Sequence, residues 1–299
     1  GSRLSFIKDI AIQCRILIGI PMLILISSVV FKKVSPVLEY LSEVLMLPGE
    51  KENFIAGPLR KAKRNIDSPW TEIILLIIVV SIAFSKEGGT SLFVDHTSSG
   101  SWIVSKESVD SPLSFAGKWL HYISIPVFQF LLIRWLWRYL VWIILLFKIS
   151  KMKLCLQPTH PDNAGGLGVI LIAQRYFVFL FVVFGIVISG EMIESLIDND
   201  KLFDTIKVEI LGYVILSLSL VVFPLFFFTR KLVKTKYSGL IDLSKAGITL
   251  SKKFEGEFVH QMSTENKIAE NTVDPSMHVD YSGIYHSLQE MRTVPIGLG

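Results

Sequence analysis

Charge is scarce in this sequence: Asp, Glu, Lys and Arg make up 19% of its 299 residues, against roughly 25% in an ordinary soluble domain. Apolar residues reach 51% with a mean hydropathy of +0.52, and they are gathered into blocks. A soluble enzyme of one or two domains is thereby excluded. Proline and glycine are sparse too, at 12 and 20 residues without any period, which excludes disordered and collagen-like chains. The only cysteines, Cys14 and Cys155, lie far apart, one in an apolar segment and one in a basic loop. No disulfide framework is expected, and both read as small hydrophobes. Catalytic signatures are missing as well. There is no P-loop, no His-Glu-x-x-His and no Gly-x-Ser-x-Gly, so the chain reads as a non-enzyme with no cofactor and no metal.

What is present is a series of apolar stretches at 14–31, 70–84, 119–147, 168–188 and 210–229, each near or above the roughly 20 helical residues that a bilayer core requires. The second is short and must recruit flanking residues. The first contains Pro21 and is flanked by Arg15 and by Lys32-Lys33, which leaves open whether it spans or lies in the interface. The expected fold is an all-α membrane protein with four spanning helices, a fifth segment of open status at 14–31, cytoplasmic amphipathic helices and a small exterior β-hairpin. In domain terms, 1–229 forms the transmembrane part, and 230–299 forms a helical tail that packs with 32–69 and 143–157.

The formal charge is +4, and the basic residues flank the apolar stretches. That distribution reads as membrane orientation, with no nucleic-acid partner expected. Lys32, Lys33, Lys51, Arg60, Lys61, Lys63 and Arg64 follow the first stretch, Lys148, Lys151 and Lys153 the third, and Arg230, Lys231, Lys234 and Lys236 the fifth. These regions, and with them the C-terminus, are expected in the cytoplasm. The loop carrying Glu191, Glu194, Asp198, Asp200, Asp204 and Glu209 is acidic and is expected outside, as is the loop at 85–114. Five spans put the N-terminus outside, against the mild opposition of Arg3, Lys8 and Arg15. Four spans keep both ends inside.

Outside the spans, Val34, Val37, Leu38, Leu41, Val44 and Leu45 recur at helical spacing before Pro48-Gly49, predicting an amphipathic helix in need of a partner surface. The runs Ser91 to Val94 and Trp102 to Val104 predict the hairpin. In the tail, Leu240, Leu243, Leu250, Phe254 and Phe258 mark one helix, and Val279, Tyr281, Ile284, Tyr285, Leu288 and Met291 mark a second.

Polar residues inside apolar stretches are the candidates for function. Arg134 and Arg138 stand four apart among Trp135, Trp137, Tyr139 and Trp142. Either the aromatics form an interfacial belt with the arginines reaching headgroups, or the arginines line a pore or meet lipid phosphate. Gln174 and Arg175 pose the same alternatives in the fourth stretch, where Arg175 either snorkels to the interface or faces the bundle. Pro126, earlier on the third stretch, is expected to kink it. Glu72 begins the second stretch, where a carboxylate suits the helix dipole without a further role. One dense motif, Pro158-Thr159-His160-Pro161-Asp162-Asn163-Ala164-Gly165-Gly166-Leu167-Gly168, precedes the fourth stretch. It reads as a rigid turn with an N-cap by Asp162 or Asn163, or as a functional loop whose members are His160, Asp162, Gly165 and Gly166.

Three of these stretches together resemble a family of uncharacterised multi-spanning proteins of bacterial inner membranes. They are Phe128 to Arg138, the Pro158 to Gly168 loop and the terminal Met291-Arg292-Thr293-Val294-Pro295. The resemblance runs from the first apolar segment to the C-terminus and implies the bacterial inner membrane and a shared architecture, without a mechanism. It also implies a basic residue after Asp162, where this chain has Asn163. Taken together, the residues point first to an oligomeric channel or pore, anion-preferring if arginines line it, with the bilayer and further copies of the chain as partners. A second reading is a non-transporting signalling or scaffold protein whose tail, 230–299, docks a cytoplasmic protein. A third is a membrane enzyme handling lipid phosphates.

Overall fold

A computed structural model describes residues 6, 9–84, 102, 114–197, 203–263 and 275–295. Every regular element among them is helical, save an isolated antiparallel bridge between Met46 and Leu154. In chain order the helices are α1 (Ile10–Leu45), α2 (Pro48–Ile66), α3 (Pro69–Phe84), α4 (Phe115–Lys151), α5 (Gly168–Ile197), α6 (Phe203–Val222), α7 (Thr229–Ser263) and α8 (Pro275–Glu290). A tight 3-10 turn, Phe223–Phe228, joins α6 to α7. The predicted hairpin falls outside the described residues, apart from Trp102.

Four helical runs are long and apolar enough to cross a membrane: α1, α4, α5 and the joined α6–α7, Asp204–Gly256. The chain is a multi-pass membrane protein. Relative to the sequence reading, the first two stretches exchange places. The open segment 14–31 lies within a continuous helix of 36 residues. The stretch 70–84 becomes α3, 16 residues long, which at 1.5 Å per residue gives about 24 Å and falls short of a core of roughly 30 Å. It reaches spanning length only together with α2, from which it bends by 45°. The predicted amphipathic helix after Lys33 is no separate element either, because Val34 to Leu45 simply continues α1.

Side-chain pairings set the helix directions. Gly19 meets Phe128, the Trp135 indole donates to the Leu23 carbonyl at 2.8 Å, and Arg138 donates to the Ser27 hydroxyl at 3.2 Å. Position numbers rise together, so α1 runs parallel to α4. Segment 14–31 thus runs alongside α4, inside a helix long and apolar enough to cross a membrane. On α5 the numbers fall as those of α1 rise: Gly190 packs on Cys14, while the loop preceding α5 meets Leu45 through Gly166. The Tyr213 hydroxyl donates to the Phe181 carbonyl, and Gln174 reaches Val221, so α6 is antiparallel to α5. Between spans the bilayer supplies no hydrophobic drive. Close approach at Gly19, Gly185 and Gly190 therefore contributes packing that larger residues would block.

Pro126 does not break α4. The turn before it, Leu120–Ser124, widens so that the Ile125 N–H bonds to the Leu120 carbonyl five residues back, and the same widening at Cys14–Gly19 precedes Pro21 in α1. A wide turn accommodates the missing donor and the ring of a proline within a continuous helix. A single buried cluster then runs from Leu23 and Phe128 in the spans to Leu288 and Met291 in the tail. The strongly basic segments gather at one end of the bundle, and the acidic residues Glu191, Glu194 and Asp204 lie at the other.

Candidate functional site

Three groups of polar residues could carry function, and each is built by a different feature of the chain. The first lies on one face of α4. Trp135, Tyr139 and Trp142 recur at steps of four and three, and all three are buried. They form no interfacial belt, because each polar hydrogen finds a partner inside the bundle. Gln174, fully buried on α5, accepts from the Trp142 indole at 2.8 Å and donates to the Tyr139 hydroxyl at 3.2 Å and the Val221 carbonyl at 2.8 Å. Tyr139 in turn donates to the Leu220 carbonyl at 2.6 Å. The two carbonyls are available for a local reason. Pro224 has no N–H for Leu220 four residues earlier, and the change to three-residue pairing in Phe223–Phe228 releases Val221. A break in the last span is thus matched, donor for acceptor, by side chains of two other helices.

The second group is the arginines. Arg134 pairs with Glu72 of α3, both side chains part-exposed, so Glu72 holds an ion pair in addition to its place in the first turn. Arg138 is 7% exposed, bonded to Ser27 and set over the Trp135 ring with its guanidinium carbon 5.3 Å from the centroid. At the opposite end of the bundle Arg15, with a side chain 5% exposed, pairs with Glu191. The pairing answers the high free energy of a lone guanidinium in hydrocarbon. Trp137, between the two arginines of α4, donates to the Asn65 carbonyl at 3.2 Å and ties α4 to α2.

The third group is the loop before α5. Asp162 Oδ1 accepts from the N–H groups of Ala164 at 2.8 Å and Gly166 at 3.1 Å, and Oδ2 accepts from Gly168 at 2.8 Å. His160 Nδ1 lies 2.8 Å from the same Oδ1. It is also 3.2 Å from the Asp162 N–H; one nitrogen cannot donate and accept at once, and the shorter contact identifies it as a donor to the carboxylate. Desolvation pushes the Asp162 carboxyl up, but the three N–H groups and His160 outweigh it and hold the carboxyl below its ordinary range. Gly165 (φ 65°) and Gly166 (φ 93°) take left-handed backbone, and so does Asn163 (φ 52°), a conformation that asparagine tolerates better than most residues. That geometry aims the Asn163 carbonyl at the Arg292 N–H, 2.7 Å away. Lys236 of α7 caps the end of α8 through the carbonyls of Gln289 at 2.6 Å and Met291 at 2.7 Å, and Lys231 donates to the Met152 carbonyl. The loop is therefore the junction at which α1, α5, α7 and the chain's last described residues meet.

The candidates from the sequence do not share one surface. Arg134 and Arg138 sit on α4 against α3 and α1, Gln174 is enclosed, and Arg175 is exposed on α5. His160, Asp162, Gly165 and Gly166 do come together, with both Asp162 oxygens engaged by the loop's own N–H groups. Sequence reasoning missed Tyr139 and Trp142 as hydrogen-bonding residues and Glu72 and Glu191 as ion-pair partners. The spacing of Trp135, Tyr139 and Trp142, four and then three residues along one helical face, was the available signal. Among the described residues no cluster of three His, Cys, Asp or Glu could hold a metal ion. Comparison with protein-family models, with curated proteins and with solved structures finds no match.

Proposed function

We propose that the chain is one subunit of a homo-oligomeric membrane pore whose path lies between copies, with the basic end of the bundle in the cytoplasm and the bacterial inner membrane as its site. Coverage of the spans carries this reading. In α6–α7 only 11% of the most apolar stretch is buried, against 44% in α4 and 39% in α5. Within one bundle the polar side chains Arg15, Arg138 and Gln174 are engaged by neighbouring helices, and on this reading the path therefore lies between copies, with the little-covered α6 at their contact. At the basic end Arg60, Lys61, Lys63 and Arg64 are all exposed on α2. A ring of such helices would concentrate anions at the mouth. Anion preference then arises there, and the paired Arg134 has no part in it.

The test is ion flux from sealed liposomes holding the purified protein, with chloride compared against potassium. Chloride flux exceeding potassium flux is expected, with the preference reduced when Arg60, Lys61, Lys63 and Arg64 are all changed to Gln. Correctly inserted, folded protein that passes neither ion overturns the pore. A second reading, a scaffold that presents its tail to a cytoplasmic protein, draws on the junction at Asn163 and Arg292. It gains if flux is absent and a soluble partner crosslinks to the tail.

A further inference from the structure

Exposed cations stand at a common level of the bundle. Hydrogen bonds tie Ser27 of α1 to Arg138, the Asn65 carbonyl of α2 to Trp137, and Gln174 of α5 to Trp142. The basic residues beside these rungs, Lys32 and Lys33 on α1, Arg64 on α2 and Arg175 on α5, are all exposed. At 1.5 Å per residue, about 33 Å of α1 separates Ile10 from Lys32, about 33 Å of α5 separates Arg175 from Ile197, and about 30 Å of chain separates Arg64 from Phe84. Each length matches a hydrocarbon core of roughly 30 Å. A chain that crosses a membrane with these helices therefore sets the belt of cations at the phosphates of one leaflet.

On α2 the belt thickens into a row. Arg60, Lys63 and Arg64 stand on the side opposite Ala62, which is buried in the main cluster, so the row points away from the bundle. The sequence places no carboxylate between Glu52 and Asp67 to neutralise it, and Glu72 is engaged by Arg134. Beyond the row, α3 buries Leu75 and Val79 but exposes Ile73, Ile74 and Ile77, and Trp70 at its start is 72% exposed. Acyl chains are the surroundings that such a helix requires, and an exposed indole at its end suits the interface just beneath the headgroups. We propose that Arg60, Lys63 and Arg64 form a binding site for the phosphates of anionic phospholipids in the leaflet at the basic end. Guanidinium forks match phosphate oxygens, and a zwitterionic headgroup brings an ammonium that the row repels. In vesicles of zwitterionic lipid the row is free to draw permeant anions, and in anionic ones headgroups occupy it. The site thus goes beyond the pore reading, needs a single copy of the chain and is tested without flux.

The experiment titrates the full chain, purified in detergent, with phosphatidylglycerol or with phosphatidylcholine of the same acyl chains, and counts bound lipid by native mass spectrometry. Phosphatidylglycerol is expected to bind at least about tenfold more tightly, because each cation close to an anionic surface strengthens binding about fivefold. Arg60→Gln, Lys63→Gln and Arg64→Gln together should remove that margin. Lys245→Gln, Lys252→Gln and Lys253→Gln take the same charge from exposed positions of α7 and should leave the preference intact. Equal loss in the two variants, or no preference in the unaltered chain, overturns the site. Raising the ammonium acetate concentration should weaken the preference of the unaltered chain, since exposed charges are screened by salt; a preference indifferent to salt overturns the proposal as well. Soluble glycerol phosphate at the concentration of the lipid is expected to displace little of it. Full displacement would make a free phosphate the occupant and overturn the lipid.

Discussion

Replacing Asp162 with Ala removes the acceptor from three N–H groups at once. Two of these belong to the buried residues Ala164 and Gly166, and the third to the half-buried Gly168 at the start of α5. A buried donor left without a partner is destabilising by about 1–3 kcal/mol, while an exposed N-cap loss is about 1 kcal/mol. With water taking up part of the deficit at Gly168, local opening of the loop should become easier by about 3 kcal/mol. That corresponds to about a hundredfold faster amide exchange at residues 164, 166 and 168, since 1.4 kcal/mol is a factor of ten. Asp162→Asn keeps one oxygen for two of the donors, and about half the effect is expected. Hydrogen exchange followed by mass spectrometry on the peptide covering the loop measures both. The pH dependence follows from the lowered carboxyl. A group whose folded pKa lies below its unfolded value, here about 3.9, stabilises above that value and loses its contribution as pH falls through the folded pKa. After correction for intrinsic exchange, loop protection should be flat from neutral to mildly acid pH and collapse only below about pH 4. Exchange in Asp162→Ala indistinguishable from the parent would refute the reasoning.

Gln174→Leu strands the Trp142 indole N–H and the Val221 carbonyl, and thermal unfolding in detergent should show a loss of about 2–4 kcal/mol. An unchanged melting temperature would mean that the network contributes nothing beyond its volume. For the Glu72–Arg134 pair, a double-mutant cycle with Glu72→Gln and Arg134→Gln should return a coupling of about 1 kcal/mol, the modest value suited to two part-exposed side chains. Strict additivity in the same melting assay would show the pair to be incidental.

How much of this could be read in advance depends on how far apart the interacting residues lie in the chain. The apolar stretches at 119–147, 168–188 and 210–229 declare themselves, because a long, predominantly apolar run needs no partner to be recognised. Arg15 and Pro21 left open whether 14–31 spans or lies in the interface. What accommodates both in a helix of spanning length is Glu191, 176 positions away, which pairs with Arg15, and a widened turn that takes up the proline. Glu72 and Arg134 are separated by 62 positions, beyond any local pattern. Asp162 as the cap of its own loop was legible, since an acidic residue followed by glycines ahead of a helix is a short-range signal. Arg292 reaching the Asn163 carbonyl was not, because a backbone-to-backbone contact leaves no trace in side-chain identity.

The proline break in the last span bears on how the protein is made. Released into lipid by itself, α6 would carry the bare carbonyls of Leu220 and Val221, each of which costs several kcal/mol when unmatched in hydrocarbon. Their donors, Tyr139 and Gln174, sit on helices that emerge earlier from the ribosome. Synthesis from the N-terminus therefore puts the acceptors' partners in the membrane first, and the broken helix enters a site already prepared for it. Moving the α6 segment ahead of α4 in the gene, with every residue retained, would reverse that order and should lower the yield of inserted protein.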